Sequence, residues 1–165
     1  MSYYKDLRTH LDALEKQGLL VRVKRQINKD TELHPLVRLQ FRGLPEEHRK
    51  AFLFDNIVDG KGIKYKIPVA VGVLAASTII YAVGMKCKPE EISRKWEHAQ
   101  LHPIKPVLIE TGPVYEEVHE GHNLLEHGGL SEFPIPISTP GYDIAPFVTA
   151  AYWITKDPET GIKNI

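Results

Sequence analysis

Nineteen consecutive residues, IPVAVGVLAASTIIYAVGM from Ile67 to Met85, carry no charge and lie between Lys64 and Lys66 on one side and Lys86 and Lys88 on the other. A stretch this long and apolar belongs either in a protein core or in a bilayer, whose hydrocarbon layer takes roughly 20 apolar residues as one helix. Pro68, Gly72, Ser77 and Thr78 interrupt it. Proline removes a backbone donor and kinks a helix, and glycine and hydroxyl residues weaken one, so a continuous lipid-facing helix does not fit. The reading that remains is a strand through Val73 followed by a short buried helix from about Ser77, with no membrane insertion. A core strand and a core helix need partners on several sides, and the flanking sequence offers them.

Residues 3–17 place Leu7, Leu11 and Leu14 on one helical stripe with charged residues between them, and Gly18 is the expected stop. LLVRVKR (19–25) alternates Leu19, Val21 and Val23 against charges, the pattern of a half-buried strand. Asp30 or Thr31 is suited to cap a second helix carrying Leu33, Leu36, Val37 and Gln40 on one side. AFLFDNI (51–57) reads as a second strand, and VDGKGIKYK as a loop into the strand at 67–73. Pro89 opens a helix with acidic residues early, and PVLIE (106–110) and VYEEVHE (114–120) read as two further strands. The order predicts a mixed α/β domain over 1–125. A segment rich in proline and glycine, 126–145, reads as a linker, and FVTAAYWIT (147–155) opens a new β unit over 146–165.

Charge narrows the partners. Lysine plus arginine equal aspartate plus glutamate at 21 each, which gives no electrostatic reason to expect nucleic acid or an anionic membrane. The single cysteine, Cys87, excludes an internal disulfide and any multi-cysteine metal site, and one thiol suits a reducing cytoplasm. No G-x-G-x-x-G or Walker-type loop is present. The carboxylates at Glu90–Glu91 and Glu116–Glu117 are sequence neighbours that point apart on any regular element, so neither pair is a positioned acid and base.

Metal-capable side chains are densest in HEGHNLLEH, with His119, Glu120, His122, Glu126 and His127. The zincin spacing requires histidine at 123, where Asn123 stands, and the inverted signature also misses by one residue. Ligand spacing is what puts two donors on one helical face, so this segment reads as a solvated linker; a metallohydrolase built on His119, His122 and Glu126 is the reading it displaces. The closing stretch ITKDPETGIKNI, 154–165, has a different quality. Asp157 can bond its own turn backbone, Pro158 presets φ, and Gly161 can take the positive φ that closes a bulged turn. Turn chemistry specifies a hairpin there, with Asn164 on its return strand.

Three stretches in order, DLRTHLDALEKQGLLVRV, VAVGVLAASTIIYAVGMKCKPEEI and FPIPISTPGYDIAPFVTAAYWITKDPETGIKN, together resemble the UbiD-like family of carboxy-lyases, decarboxylases that use prenylated flavin mononucleotide. Two positions depart from that family's pattern. The arginine usual shortly after the glycine–serine pair is missing, since Ser77 is followed by Thr78, Ile79 and Ile80, and Ala145 stands where glycine is common.

The resemblance implies an N-terminal α/β domain followed by a split β-barrel that binds the flavin, here represented by its first hairpin. It implies a cofactor of prenylated FMN with a divalent metal, usually manganese, and potassium as a further candidate. The position it carries over is Asn164, as metal ligand and hence cofactor-binding residue; the family's catalytic residues would lie downstream, so no catalytic residue is expected in this chain. The implied reaction is reversible decarboxylation of an aromatic or α,β-unsaturated acid, with carbon dioxide as co-product. Further implied partners are a flavin prenyltransferase that supplies the cofactor and copies of the same chain, as a dimer or hexamer. The chain as given is expected to be the start of such an enzyme, inactive alone. The alternative is a non-catalytic assembly or regulatory subunit of a multi-subunit carboxylase.

Overall fold

The computed structural model describes residues 3–126, 128–148 and 155–164. Helix α1 runs Leu7–Lys16 and begins later than the leucine stripe suggests, because Asp6 takes the capping position. Its carboxylate accepts the Thr9 amide at 2.8 Å, and the Thr9 hydroxyl answers the Asp6 amide at 3.3 Å. Leu14 is fully buried and Leu11 packs against the same cluster, while Leu7 lies outside it and His10 is buried instead. The His10 ring donates from Nε2 to the Val73 carbonyl at 2.7 Å, which ties α1 to the charge-free run.

Strand β1 (Leu20–Val23) pairs in parallel with β3 (Ala51–Phe54), which pairs antiparallel with β6 (Val69–Val71), so β3 is the centre of a three-stranded sheet. Alternation sorts its side chains cleanly. Ala51, Leu20 and Ala70 join Leu14, Val73, Ala76 and Ile80 on one face. Phe52, Phe54, Val69 and Val71 join Ile27, Leu33, Val37 and Ile57 on the other. A central strand covered on both faces explains why AFLF shows no polar alternation. On β1 the expected inward set is corrected: Leu19 is buried just before the strand and Val23 packs inward, but Val21, on an edge strand, is 40% exposed.

The segment 51–57 is not one strand. After Phe54 the chain starts β4 (Ile57–Val58), which belongs to a second sheet with β2 (Ile27–Asn28) and β5 (Lys64–Tyr65). The parallel registers, Val23 with Phe54 and then Ile27 with Ile57, leave three residues, 24–26, opposite two, 55–56. This gap separates the two sheets, and Phe54 and Ile57 on either side of it lie in the same core cluster. The expected loop at 58–66 therefore contains a strand, β5, folded back on β4 in antiparallel register.

Helix α2 (Leu33–Gly43) covers the second face through Leu33, Val37 and Gln40. Neither Asp30 nor Thr31 caps it; the residue at its start is Glu32, with no capping side chain. Asn28 instead accepts the Asp30 and Thr31 amides at 2.9 and 3.2 Å, and Asp30 is drawn away to the Gly60 amide at 2.8 Å and the Lys29 ammonium at 2.6 Å. Gln40 is buried without penalty because its carboxamide both donates to and accepts from the Lys50 backbone at 2.8 Å.

The charge-free run divides as its breakers imply, into β6, a turn at Gly72 with φ +72°, and α3 (Thr78–Met85) capped by Ser77. Glu46 accepts from the Thr78 amide at 2.6 Å and from the Thr78 hydroxyl, which holds its carboxyl below the usual value. Among the described residues no helix is long and apolar enough to cross a membrane. Pro89–Glu91 makes one tight turn into α4 (Ile92–Leu101).

Beyond α4 the expected strands at 106–110 and 114–120 are not formed. The first is extended without a ladder partner and Leu108 is 98% exposed, while 113–115 is a single 3-10 turn. Strand propensity is realised only against a neighbouring edge, and the described residues present none there. Two more 3-10 turns follow, Gly121–Leu125 and, within the expected linker 126–145, Gly129–Glu132. Of the strand expected at 147–155, residues 149–154 lie outside the described residues, and Thr155 opens the terminal hairpin.

The layering predicts that Leu14→Ala, which empties a fully buried site between α1, α3 and the sheet, costs about 2–5 kcal/mol in urea unfolding. Leu39→Ala on the outer side of α2, 64% exposed, should stay within about 0.5 kcal/mol. Equal losses at the two sites would contradict the layered core.

Candidate functional site

The hairpin consists of β7 (Thr155–Lys156) and β8 (Lys163–Asn164), with Thr155 opposite Asn164 and Lys156 opposite Lys163. Its turn is built by one carboxylate. Asp157 Oδ1 accepts the Glu159 amide at 2.8 Å and the Thr160 amide at 3.2 Å, the Asp157 carbonyl accepts Gly161 N–H at 2.9 Å, and Asp157 N–H donates to Ile162 at 2.9 Å. Gly161 takes φ +71°, a conformation that side chains with a Cβ adopt at a cost. The amide of Glu159, and after it the Thr160 contacts, hold the Asp157 carboxyl below its ordinary value.

Asn164 stands on β8 with its residue exposed. A carboxamide oxygen is a hard donor that suits a divalent cation of the magnesium or manganese kind, so the side chain fits one position of such a site. One donor does not make a metal centre, and among the described residues no three His, Cys, Asp or Glu side chains converge on a common point. His119, half-buried, lies 3.7 Å from Glu117 across Nε2 and Oε2, and His122 sits in the 3-10 turn 121–125. His127 lies outside the described residues. Cys87 is a half-buried free thiol just past the end of α3.

Between the α/β layers and the hairpin the chain is tied down by groups that sequence reading did not single out. Arg38 on α2 donates from Nη2 to the Ser138 carbonyl at 2.8 Å and to Thr139 Oγ1 at 2.9 Å. The Thr139 amide donates to Asp143 Oδ2 at 2.7 Å, and Ile137 N–H reaches the Lys29 carbonyl at 3.3 Å. His34, one turn before Arg38, sits below its ordinary value of 6.5, first through burial and then through the Arg38 charge, with Asp143 opposing. No local signal announces Arg38, because its partners lie 100 and 101 residues away; the proline–glycine turn at 140–141 and Asp143 were the only visible traces.

Residues 11–100, from within α1 to within α4, match the family described as the 3-octaprenyl-4-hydroxybenzoate carboxy-lyase N-terminal domain. The chain belongs to the UbiD family. The matched UbiD segment coincides with the layered α/β unit. Similarity in the relatives extends over most of the chain. A protein of Rhodospirillum rubrum encoded in the cooM 5′ region is 30% identical over 96% of this chain and 31% of its own length. The phenolic acid decarboxylase of Streptomyces sp. strain D7 is 27% identical over 94% of the chain and 32% of its own length. The UbiD-class enzyme HmfF from Pelotomaculum thermopropionicum in complex with FMN superposes with TM-score 0.73 at 28% identity, covering 96% of this chain and 32% of HmfF. An evolved dimeric form of HmfF in complex with prFMN gives 0.74 at 29%, covering 96% of this chain and 34% of that one. The chain thus spans about a third of the length of the UbiD-class relatives it matches.

Because the Asp157 carboxyl is depressed in the folded hairpin, its contribution to the turn is complete above the ordinary aspartate value of 3.8 and is lost as pH falls through the lower folded value. The amide resonances of Glu159 and Thr160 should therefore hold constant at neutral pH and titrate together at acidic pH, with a midpoint below 3.8. Asp157→Asn should abolish that titration. A midpoint at or above the ordinary value would show that the turn bonds do not form in solution.

Proposed function

We propose that the chain forms the N-terminal α/β domain, 1–125, the linker, 126–145, and the opening of the flavin-binding barrel, 146–165, of a prenylated-FMN-dependent carboxy-lyase. The reaction in this reading is reversible, non-oxidative decarboxylation of an aromatic or α,β-unsaturated carboxylic acid. The observation that carries it is the superposition of 96% of the chain on a UbiD-class enzyme solved with its flavin. The phenolic acid decarboxylase among the relatives supports the substrate class.

Bound prenylated flavin would supply the electron sink for the charge left when carbon dioxide departs. In this reading the chain's own contribution is positional. The Asp157 turn sets β8, β8 presents Asn164, and the Asn164 carboxamide oxygen would give one ligand to a divalent metal, manganese in the first instance, that would anchor the flavin. Further metal ligands, the acid–base groups and any potassium site belong to the remainder of a UbiD-class fold, so the 165 residues alone should show no turnover. A flavin prenyltransferase would supply the cofactor, the assembled enzyme would be a homo-oligomer, and a reducing cytoplasm suits its one thiol.

Manganese is itself the probe for this reading, since it broadens nearby resonances. Titrating Mn2+ with prenylated FMN into this segment, isotopically labelled and joined to the remainder of a UbiD-class fold, should broaden the Asn164 side-chain amide before any other signal of the segment, and Asn164→Ala should remove the effect. Broadening centred on His119, His122 and Glu126 would overturn the assignment.

A further inference from the structure

Helix α4 ends on a pair of imidazoles. His98 lies in its last turn and His102 just past its end, and the His102 amide still donates to the His98 carbonyl at 3.0 Å, so helical spacing runs through both. Residues four apart on a helix share a face. Here the two rings lie side by side on it, their centroids 4.2 Å apart and their planes 23° from parallel. Both residues are exposed. Two histidines at this spacing are the arrangement by which one helical face offers two nitrogen donors to a single cation.

The orientation of His102 is a second, independent observation. Its Nδ1 lies 2.9 Å from the same His98 carbonyl. A carbonyl oxygen only accepts, so Nδ1 carries the proton, and in the neutral ring the lone pair is on Nε2, on the far side from the backbone. A metal-ligating histidine is held in this way, its other ring nitrogen donating to a carbonyl or carboxylate that fixes tautomer and direction. The two rings form part of the wall of an open cleft of about 850 Å3, to which Tyr4, Cys87 and Glu91 also contribute. Among the described residues no third His, Cys, Asp or Glu converges with the pair, so the other positions of a bound ion are left to water.

We propose that His98 and His102 form a two-imidazole chelate for a borderline divalent cation, zinc in the first instance, on the cleft wall at the end of α4. Imidazole suits zinc, copper and nickel, whereas manganese favours oxygen donors and stands lowest in the affinity order of the first-row divalent metals. The pair is therefore chemically distinct from the oxygen donor at Asn164, and the inference does not depend on the carboxy-lyase reading. Its consequence for the fold is local. No residue of α4 is buried, and an ion held across the last turn closes that turn where packing does not.

Zinc titrated into the chain, followed by calorimetry and by the His98 and His102 ring resonances, tests this. One tightly bound zinc per chain is expected, with both rings shifting together and amide exchange slowing in the last turn of α4. His98→Ala and His102→Ala should each weaken binding at least about tenfold, since either leaves one donor and removes the intramolecular second contact. Neither variant should show the slowed exchange, and both should fold, because the two positions are exposed. Manganese should bind the pair at least about tenfold more weakly than zinc. Undiminished zinc affinity in both variants, loss confined to Cys87→Ser or to His119→Ala and His122→Ala, or manganese binding as tight as zinc would overturn the proposal. Neither flavin nor Asn164 enters the measurement, so its failure would leave the carboxy-lyase reading standing.

Discussion

Ala51–Phe54 has to be covered on both faces, and most of the architecture follows from meeting that requirement. Ala51 and Leu53 point to one side and Phe52 and Phe54 to the other, so a single helical layer could bury only half of the strand. The first face is closed by α1 and α3, whose contributions meet at Leu14 and Ile80, and the second by α2 through Leu33 and Val37. Burial at roughly 25 cal/mol per Å2 makes each such side chain worth about 1.5–3 kcal/mol, which is ample reason for the chain to return to this strand three times.

Where the layers meet, backbone groups are satisfied by side chains more often than by regular ladders. Gln40 completes the Lys50 peptide unit, Glu46 completes the first turn of α3, and Asn28 closes the turn before α2. Each satisfies backbone groups outside a ladder, because an orphaned buried amide or carbonyl costs about as much as a lost hydrogen bond. Side-chain and backbone groups likewise hold the segment around Thr139, where Arg38 donates to the Ser138 carbonyl and the Lys29 carbonyl accepts Ile137 N–H.

A sharp change in character follows α3. The buried hydrophobic residues of the core lie between Leu14 and Ala82, whereas α4 buries none and Ile104, Val107, Leu108 and Ile109 are exposed in succession. The layered unit is what the family match covers, and the superposition on HmfF extends over 96% of the chain. An extended, apolar run is suited to be one strand among others, and its exposure here has the same physical origin as the missing ladder at 106–110.

Local chemistry in the sequence determined a good deal. The helices at α1, α3 and α4, the burial of Leu33, Val37 and Gln40, the division of the charge-free run at Gly72 and Ser77, and the turn that Asp157 and Gly161 make were all legible, because each depends on neighbours within a few residues. For the candidate site, the position of Asn164 on the return strand of a hairpin was legible on the same ground, while the bond from Arg38 to Thr139 was not. The tertiary structure alone decided the split of 51–57 into two strands, the strand inside the 58–66 loop, the exposure of Val21, the diversion of Asp30 from capping and the failure of 106–110 to pair. Register, edges and long-range salt or hydrogen bonds depend on what the rest of the chain brings alongside, and Arg38 meeting Thr139 is the plainest instance: two residues with ordinary local surroundings, given a role only by the fold between them.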